Sequence, residues 1–194
     1  RMTEQRSEND GISIALVTCN RLHLLQQCIE KVIAQTSDKT TEVIVWNNAS
    51  TDGTAEYLDS IQDPRFRVVH HEKNIGTNAF ARAFELVSGT YMIELDDDVI
   101  DAPAGWDAQL LEAYQRADKM GFLAANVIDD KKSVAAQIFY QRDKHLYTPF
   151  EEKGINFLDG PVGGWCTMTS RDVYDAAGGF RQSSEFNFWH EDGA

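Results

Sequence analysis

The sequence predicts an α/β fold on a mainly parallel central sheet. Two observations predict it. Short β-branched apolar runs alternate with stretches of helical period, at spacings that suit strand–helix–strand crossovers rather than hairpins. Polar clusters also fall at the carboxyl ends of three of those runs, where open α/β sheets place their ligands.

Taken in order, residues 12–17 form an apolar strand, and Leu22, Leu25, Ile29, Val32 and Ile33 follow with helical spacing. Residues 43–46 are a second strand. The turn-rich Asn47, Asn48, Ala49 and Ser50 come next, then a helix over 51–61 entered through Asp52 and Gly53. The unit repeats as a strand over 66–69 and a helix over 79–87. A strand over 91–95 then runs directly into Asp96, Asp97 and Asp98, followed by an amphipathic helix over 106–117 and a strand-like run over 122–127. Residues 129–156 show mixed charge without a clear period and read as an excursion from the core. Gly178 and Gly179 end a short helix containing Val173 and Tyr174. Residues 1–11 are polar and read as a loose leader, with one domain over 12–194.

Composition narrows the function classes. Among 194 residues, 31 acidic side chains face 18 basic ones, a formal charge of -13, so a phosphate-rich polymer is repelled and nucleic acid is not an expected partner. A small anionic ligand needs a cation beside it. Cys19, Cys28 and Cys166 are odd in number and lack CxxC spacing, which signals neither a disulfide framework nor a zinc site. No apolar run reaches the roughly 20 residues of a membrane span. The expected location is the cytoplasm.

Asp96, Asp97 and Asp98 are presented together at a strand end. Hard divalent cations of the magnesium type commonly take one or two carboxylates plus substrate phosphate oxygens, which suits Asp96 and Asp98. A solvated acidic loop is the plainer reading of three acids taken alone. Asn47 and Asp52 likewise serve equally to shape a turn and cap a helix. Far downstream, Glu191 and Asp192 follow an aromatic-rich stretch, where a raised carboxyl pKa suits a general base; a chain-end acidic pair is the alternative. His190 reads as a packed ring rather than a metal ligand. Gly163 and Gly164 permit either close approach of a bulky ligand or a tight turn. GxxxxGK[ST], GxGxxG and GxSxG patterns do not occur at the required places, which sets aside P-loop enzymes, dinucleotide dehydrogenases and serine hydrolases.

In order along the chain, residues 12–21 (ISIALVTCNR), 42–54 (EVIVWNNASTDGT), 74–76 (NIG) and 95–98 (LDDD) resemble the inverting family-2 glycosyltransferases of the GT-A fold, a Rossmann-like three-layer sandwich. Gly163–Gly164, Gly178–Gly179–Phe180 and Glu191–Asp192 extend the resemblance to nearly the whole chain. It implies a nucleotide-diphosphate sugar donor (UDP-, dTDP- or GDP-sugar), Mn2+ or Mg2+ as cofactor, and a glycan or lipid-linked acceptor, as in cell-envelope polysaccharide biosynthesis. Thr18, Asn20 and Arg21 are implied near the nucleotide, with Asn47, Asn48 and Asp52 beside its base and Asn74 and Gly76 in the donor site. Asp96 and Asp98 match the DXD motif, the first meeting the ribose and the last the metal, with Asp97 between them. Asn47 stands where many relatives carry aspartate, and an amide, being both donor and acceptor, need not choose the same base.

The same resemblance implies Asp192 as general base with Glu191 beside it, and Gly163, Gly164 and Trp165 on the acceptor side, Trp165 being either a platform under a sugar ring or a core residue. Relatives continue beyond the position of Ala194, so the chain reads as truncated at its C-terminus, and the full-length protein is expected at the inner face of the membrane. The alternative function is a non-catalytic sugar-nucleotide or glycan binding module of the same fold. A nucleotidyltransferase ranks last, because its glycine- and lysine-rich entry loop is absent after the first strand.

Overall fold

The computed structural model describes residues 9–126 and 144–180. They form a six-stranded sheet in the order β3-β2-β1-β4-β8-β5 and a separate two-stranded hairpin, β6-β7. The strands are β1 Asn9–Thr18, β2 Thr40–Asn48, β3 Phe66–His71, β4 Gly89–Asp96, β5 Phe122–Ala124, β6 Thr148–Glu152, β7 Ile155–Asp159 and β8 Cys166–Ser170. The helices are α1 Leu22–Gln27, α2 Thr54–Asp59, α3 Asn78–Leu86, α4 Trp106–Arg116 and α5 Arg171–Ala176. β1 pairs in parallel with both β2 and β4, and β2 with β3, whereas β8 runs antiparallel to β4 and β5.

Continuous apolar runs identify the central strands because parallel strands are covered on both faces. On one face, Ile14 and Leu16 of β1, Val43 and Val45 of β2, and Ile93 and Leu95 of β4 pack against Leu25 of α1, Leu58 of α2 and Leu110 and Leu111 of α4. On the other, Ala15, Ile44, Trp46 and Met92 meet Ala79, Ala83 and Phe84 of α3 and Tyr174 of α5. The result is the three-layer sandwich expected from the sequence. Among the described residues, no helix is long and apolar enough to cross a membrane.

Several elements depart from the sequence expectation. The first helix does not run as one α-helix: it widens to π geometry over Cys28–Val32 and tightens to 3-10 over Ile33–Gln35. The indole of Trp106 donates to the Val32 carbonyl at 3.0 Å, so a side chain from α4 takes a backbone acceptor at the distorted end. α2 begins at Thr54, three residues later than predicted, because Asp52 and Gly53 are spent on the turn into it. The excursion holds most of the β6-β7 hairpin. Its turn residues Lys153 and Gly154 have φ of 49° and 80°, the paired left-handed conformation of a type I′ turn. Of the predicted run over 122–127, β5 keeps Phe122–Ala124, and Val127 lies outside the described residues.

Candidate active site

β1 lies between β2 and β4, and the chain leaves it toward β2 and β3 on one side and β4 on the other. Its carboxyl end is therefore the topological switch point, where a crevice opens in sheets of this kind. The polar clusters at the ends of β1, β2 and β4 all meet there.

Asp97 ties the first cluster to the third. Its carboxylate is buried (3% exposed) and accepts from the Thr18 hydroxyl at 2.7 Å and from Nη1 of Arg21 at 2.8 Å. Burial pushes the Asp97 pKa up, against the opposing pull of the Thr18 hydrogen bond and the Arg21 charge. Nη2 of Arg21 reaches the half-exposed Asp98 carboxylate at 3.4 Å. Arg21 thus bridges two of the three acids, one as an anchor and one at the solvent edge.

The second cluster is organised by amides. Asn20 has φ 54° and Ala49 φ 65°, so both strand ends turn through the left-handed region that side chains rarely adopt. Asn20 accepts from Thr51 N at 2.7 Å and its own N–H donates to Ser50 Oγ at 2.9 Å. Asp52 accepts from Leu22 N at 2.9 Å and from the Thr54 hydroxyl at 2.6 Å, joining the start of α1 to that of α2. Burial opposes its charge, yet the Thr54 and Leu22 hydrogen bonds outweigh it and hold the carboxyl below its ordinary value.

Asn48 accepts from Ile75 N at 3.0 Å and donates to Asn74 Oδ1 at 2.8 Å, and Asn74 Oδ1 also receives Gly76 N at 2.8 Å. Asn74 in turn donates to Cys19 Sγ at 3.2 Å. Asn47 points the opposite way. Its Oδ1 accepts from Ser50 N at 3.0 Å, which leaves Nδ2 facing Nδ1 of His70 at 3.1 Å. His70 Nδ1 must then be the acceptor, so the ring proton sits on Nε2 and is donated to Asp59 Oδ1 at 3.0 Å.

On the far side of β4, Asp96 N donates to Trp165 O at 3.0 Å, bringing the start of β8 to the same edge. Trp165 is 40% exposed, and its indole N–H donates to Ala125 O at 2.9 Å, so it is not a core residue. The room left by Gly163 and Gly164 is used by the chain itself. A Cβ at Gly163 would meet the Trp165 ring at 1.7 Å, and one at Gly164 would lie 2.7 Å from Glu94 Oε1. Burial and then the charge of Asp96 push the Glu94 carboxyl up to about 8.

Asp96 and Asp98 carry carboxylate oxygens of the kind that could hold a hard divalent cation. Asp98 is held only at its edge by Arg21, and among the described residues no group of three or more His, Cys, Asp or Glu side chains converges into a metal cage. A magnesium-type cation can be held by two carboxylates when phosphate oxygens complete its shell. Glu191, Asp192 and His190 lie outside the described residues. The sequence did not single out Glu94, His70 or Asp59; a glutamate inside an otherwise apolar strand was the available signal for the first, and the others depend on pairings between elements.

The sheet order and helical layers, with carboxylates gathered at the switch point, are those of the GT-A fold. The chain belongs to glycosyl transferase family 2, whose sequence profile matches residues 13–178. It is 28% identical over 135 residues to a poly-beta-1,6-N-acetyl-D-glucosamine synthase of Staphylococcus aureus (strain COL), covering 68% of this chain and 32% of that protein. The chain thus spans about a third of the length of the curated relatives it matches. Among solved structures, it is similar to a Pyrobaculum calidifontis mannosyltransferase in complex with GDP-Man and Mn2+ (TM-score 0.62, 17% identity, 93% of this chain and 52% of that one). It is also similar to glucosyl-3-phosphoglycerate synthase from Mycobacterium tuberculosis in complex with UDP (TM-score 0.59, 19% identity, 84% and 58%). At these identities the structures establish the shared fold.

Proposed function

We propose that this domain transfers a sugar from a nucleotide-diphosphate donor to a hydroxyl acceptor with inversion, in a metal-dependent reaction. The observation that carries the reading is the convergence of Thr18, Arg21, Asp96, Asp97 and Asp98 at the switch point. Relatives whose structures hold GDP-Man with Mn2+ or UDP support the donor class.

Asp97 and Thr18 fix the ends of β1 and β4 to each other, and Asp97 holds Arg21 in place at the crevice, where its guanidinium meets anionic phosphate. Asn47, Asn48 and Asp52 give the β2 loop a fixed donor and acceptor pattern for the base, braced by Asn20, Asn74 and Gly76. Asp96 is assigned to the ribose and, with Asp98, to the cation. When bound, that cation supplies charge neutralisation for the departing diphosphate. Gly163, Gly164 and Trp165 are assigned to the acceptor side, with Gly164 leaving room for Glu94. Asp192, beside Glu191, takes the proton from the attacking acceptor hydroxyl.

The test uses the full-length protein with a nucleotide-sugar and a glycan acceptor. Asp192→Asn should lower transfer by at least about a hundredfold, the usual range for loss of a general base, while nucleotide affinity stays within twofold. Unchanged transfer would remove Asp192 from the mechanism. Nucleotide-sugar binding without transfer by the wild type would favour a binding module.

A further inference from the structure

We propose that Glu94 is a specificity-determining residue that binds a hydroxyl of the donor's sugar. This rests on the donor-site reading above and adds to it a side chain outside the strand-end aspartates.

Glu94 lies two residues before Asp96 on β4, so strand alternation puts both side chains on one face, about 7 Å apart. Its cross-strand neighbours offer it nothing polar. Ala15 stands opposite on β1 and Thr167 opposite on β8, and the Thr167 hydroxyl is donated to the Gly163 carbonyl. The Glu94 side chain has no hydrogen bond or ion pair with any described residue. The side chain is half-buried rather than sealed in the core, so a ligand can reach its carboxyl.

The surroundings are shaped to keep the carboxyl rather than remove it. With any side chain at Gly164, a Cβ would come within 2.7 Å of Oε1 and 3.1 Å of Cδ, so glycine there leaves Glu94 its place. Asp96 is on one side of it, and the exposed Trp165 follows Gly164 on the other. A donor extending from Asp96 toward Trp165 therefore passes Glu94. The diphosphate is excluded from that position by two neighbouring carboxyls, whereas an uncharged polyol supplies the hydroxyls that a carboxyl lacks. The sugar is the part of the donor with that chemistry.

The experiment compares wild type, Glu94→Gln and Glu94→Leu in the full-length protein with Mn2+. Calorimetric titrations use UDP, GDP and dTDP, then UDP-glucose, UDP-N-acetylglucosamine, GDP-mannose and dTDP-glucose. For the nucleotide that binds, Glu94→Leu should leave diphosphate affinity within twofold and weaken the preferred sugar conjugate about fivefold or more, the usual effect of losing a hydrogen bond. Glu94→Gln, which keeps an acceptor oxygen, should recover part of that loss. Equal weakening of diphosphate and conjugate, or no weakening of either, overturns the assignment while leaving the donor site standing. If wild type binds none of the seven compounds, the donor reading fails and the assignment fails with it.

Discussion

Replacing Asp97 by Asn separates positioning from stability at this site. The carboxylate is 3% exposed, and two terms oppose each other. The substitution removes the charge-assisted bond from Arg21, worth about 1.5–3 kcal/mol, and sets an amide N–H against the guanidinium when Thr18 keeps the oxygen. It also relieves a buried ionised carboxylate, whose desolvation costs several kcal/mol. The raised pKa shows that burial outweighs the partners. The net change in stability should therefore be small, about 1 kcal/mol or less. The sign follows from linkage: with the folded pKa above the unfolded one, the native state holds the proton more tightly, so this group's contribution is largest below the unfolded pKa and declines as pH rises through the folded one. Asp97→Asn should flatten that decline.

Arg21, a third exposed, loses its anchor in the same variant. Ordering a free arginine costs about 1–2 kcal/mol, so nucleotide diphosphate affinity should fall about tenfold. Urea denaturation from pH 4 to 8, beside calorimetric titration with the nucleotide, measures both quantities. A stability loss above about 3 kcal/mol with unchanged affinity would show that Asp97 serves the fold and does not position Arg21 for the ligand.

Gly89→Ala should destabilise by about 1–3 kcal/mol in thermal or urea unfolding, because its Cβ would lie 2.7 Å from the Gly11 carbonyl and 2.9 Å from Ser13 N, backbone atoms that cannot step aside. In native protein, Cys19 should be the first of the described thiols to react with a disulfide reagent. Cys28 and Cys166 are buried, and that burial pushes Cys28 up strongly and Cys166 up to about 12, so these two should react only on unfolding. Nitrogen-15 NMR should find the His70 proton on Nε2, and Asn47→Leu, which removes the amide facing Nδ1, should shift that tautomer balance.

The three central strands of the parallel half were readable because each is largely apolar on both faces and ends in a polar cluster: 12–17 ends at Thr18, 43–46 at Asn47 and 91–95 at Asp96. The sequence also located the glycine stop after Tyr174, where Gly178 and Gly179 take φ of 85° and 68°. It did not show that β8 inserts antiparallel between β4 and β5, since a strand's neighbours and direction are not written in its own residues. The β6-β7 hairpin escaped because its strands pair only with each other and expose Phe150 and Leu158, which erases the alternation that burial on one face creates. At the site, residue type located Thr18, Arg21 and the aspartates. The link from Asn47 through His70 to Asp59 depends on the register of β2 against β3 and on the packing of α2, so no spacing announced it.

The most direct test of the donor site is calorimetric titration of UDP, GDP and dTDP into the protein with and without Mn2+, repeated for the best ligand with Asp98→Ala. One nucleotide should bind, Mn2+ should strengthen that binding, and the substitution should abolish the strengthening. Binding indifferent to both Mn2+ and Asp98, or no binding with Mn2+ present, would contradict the donor-site reading.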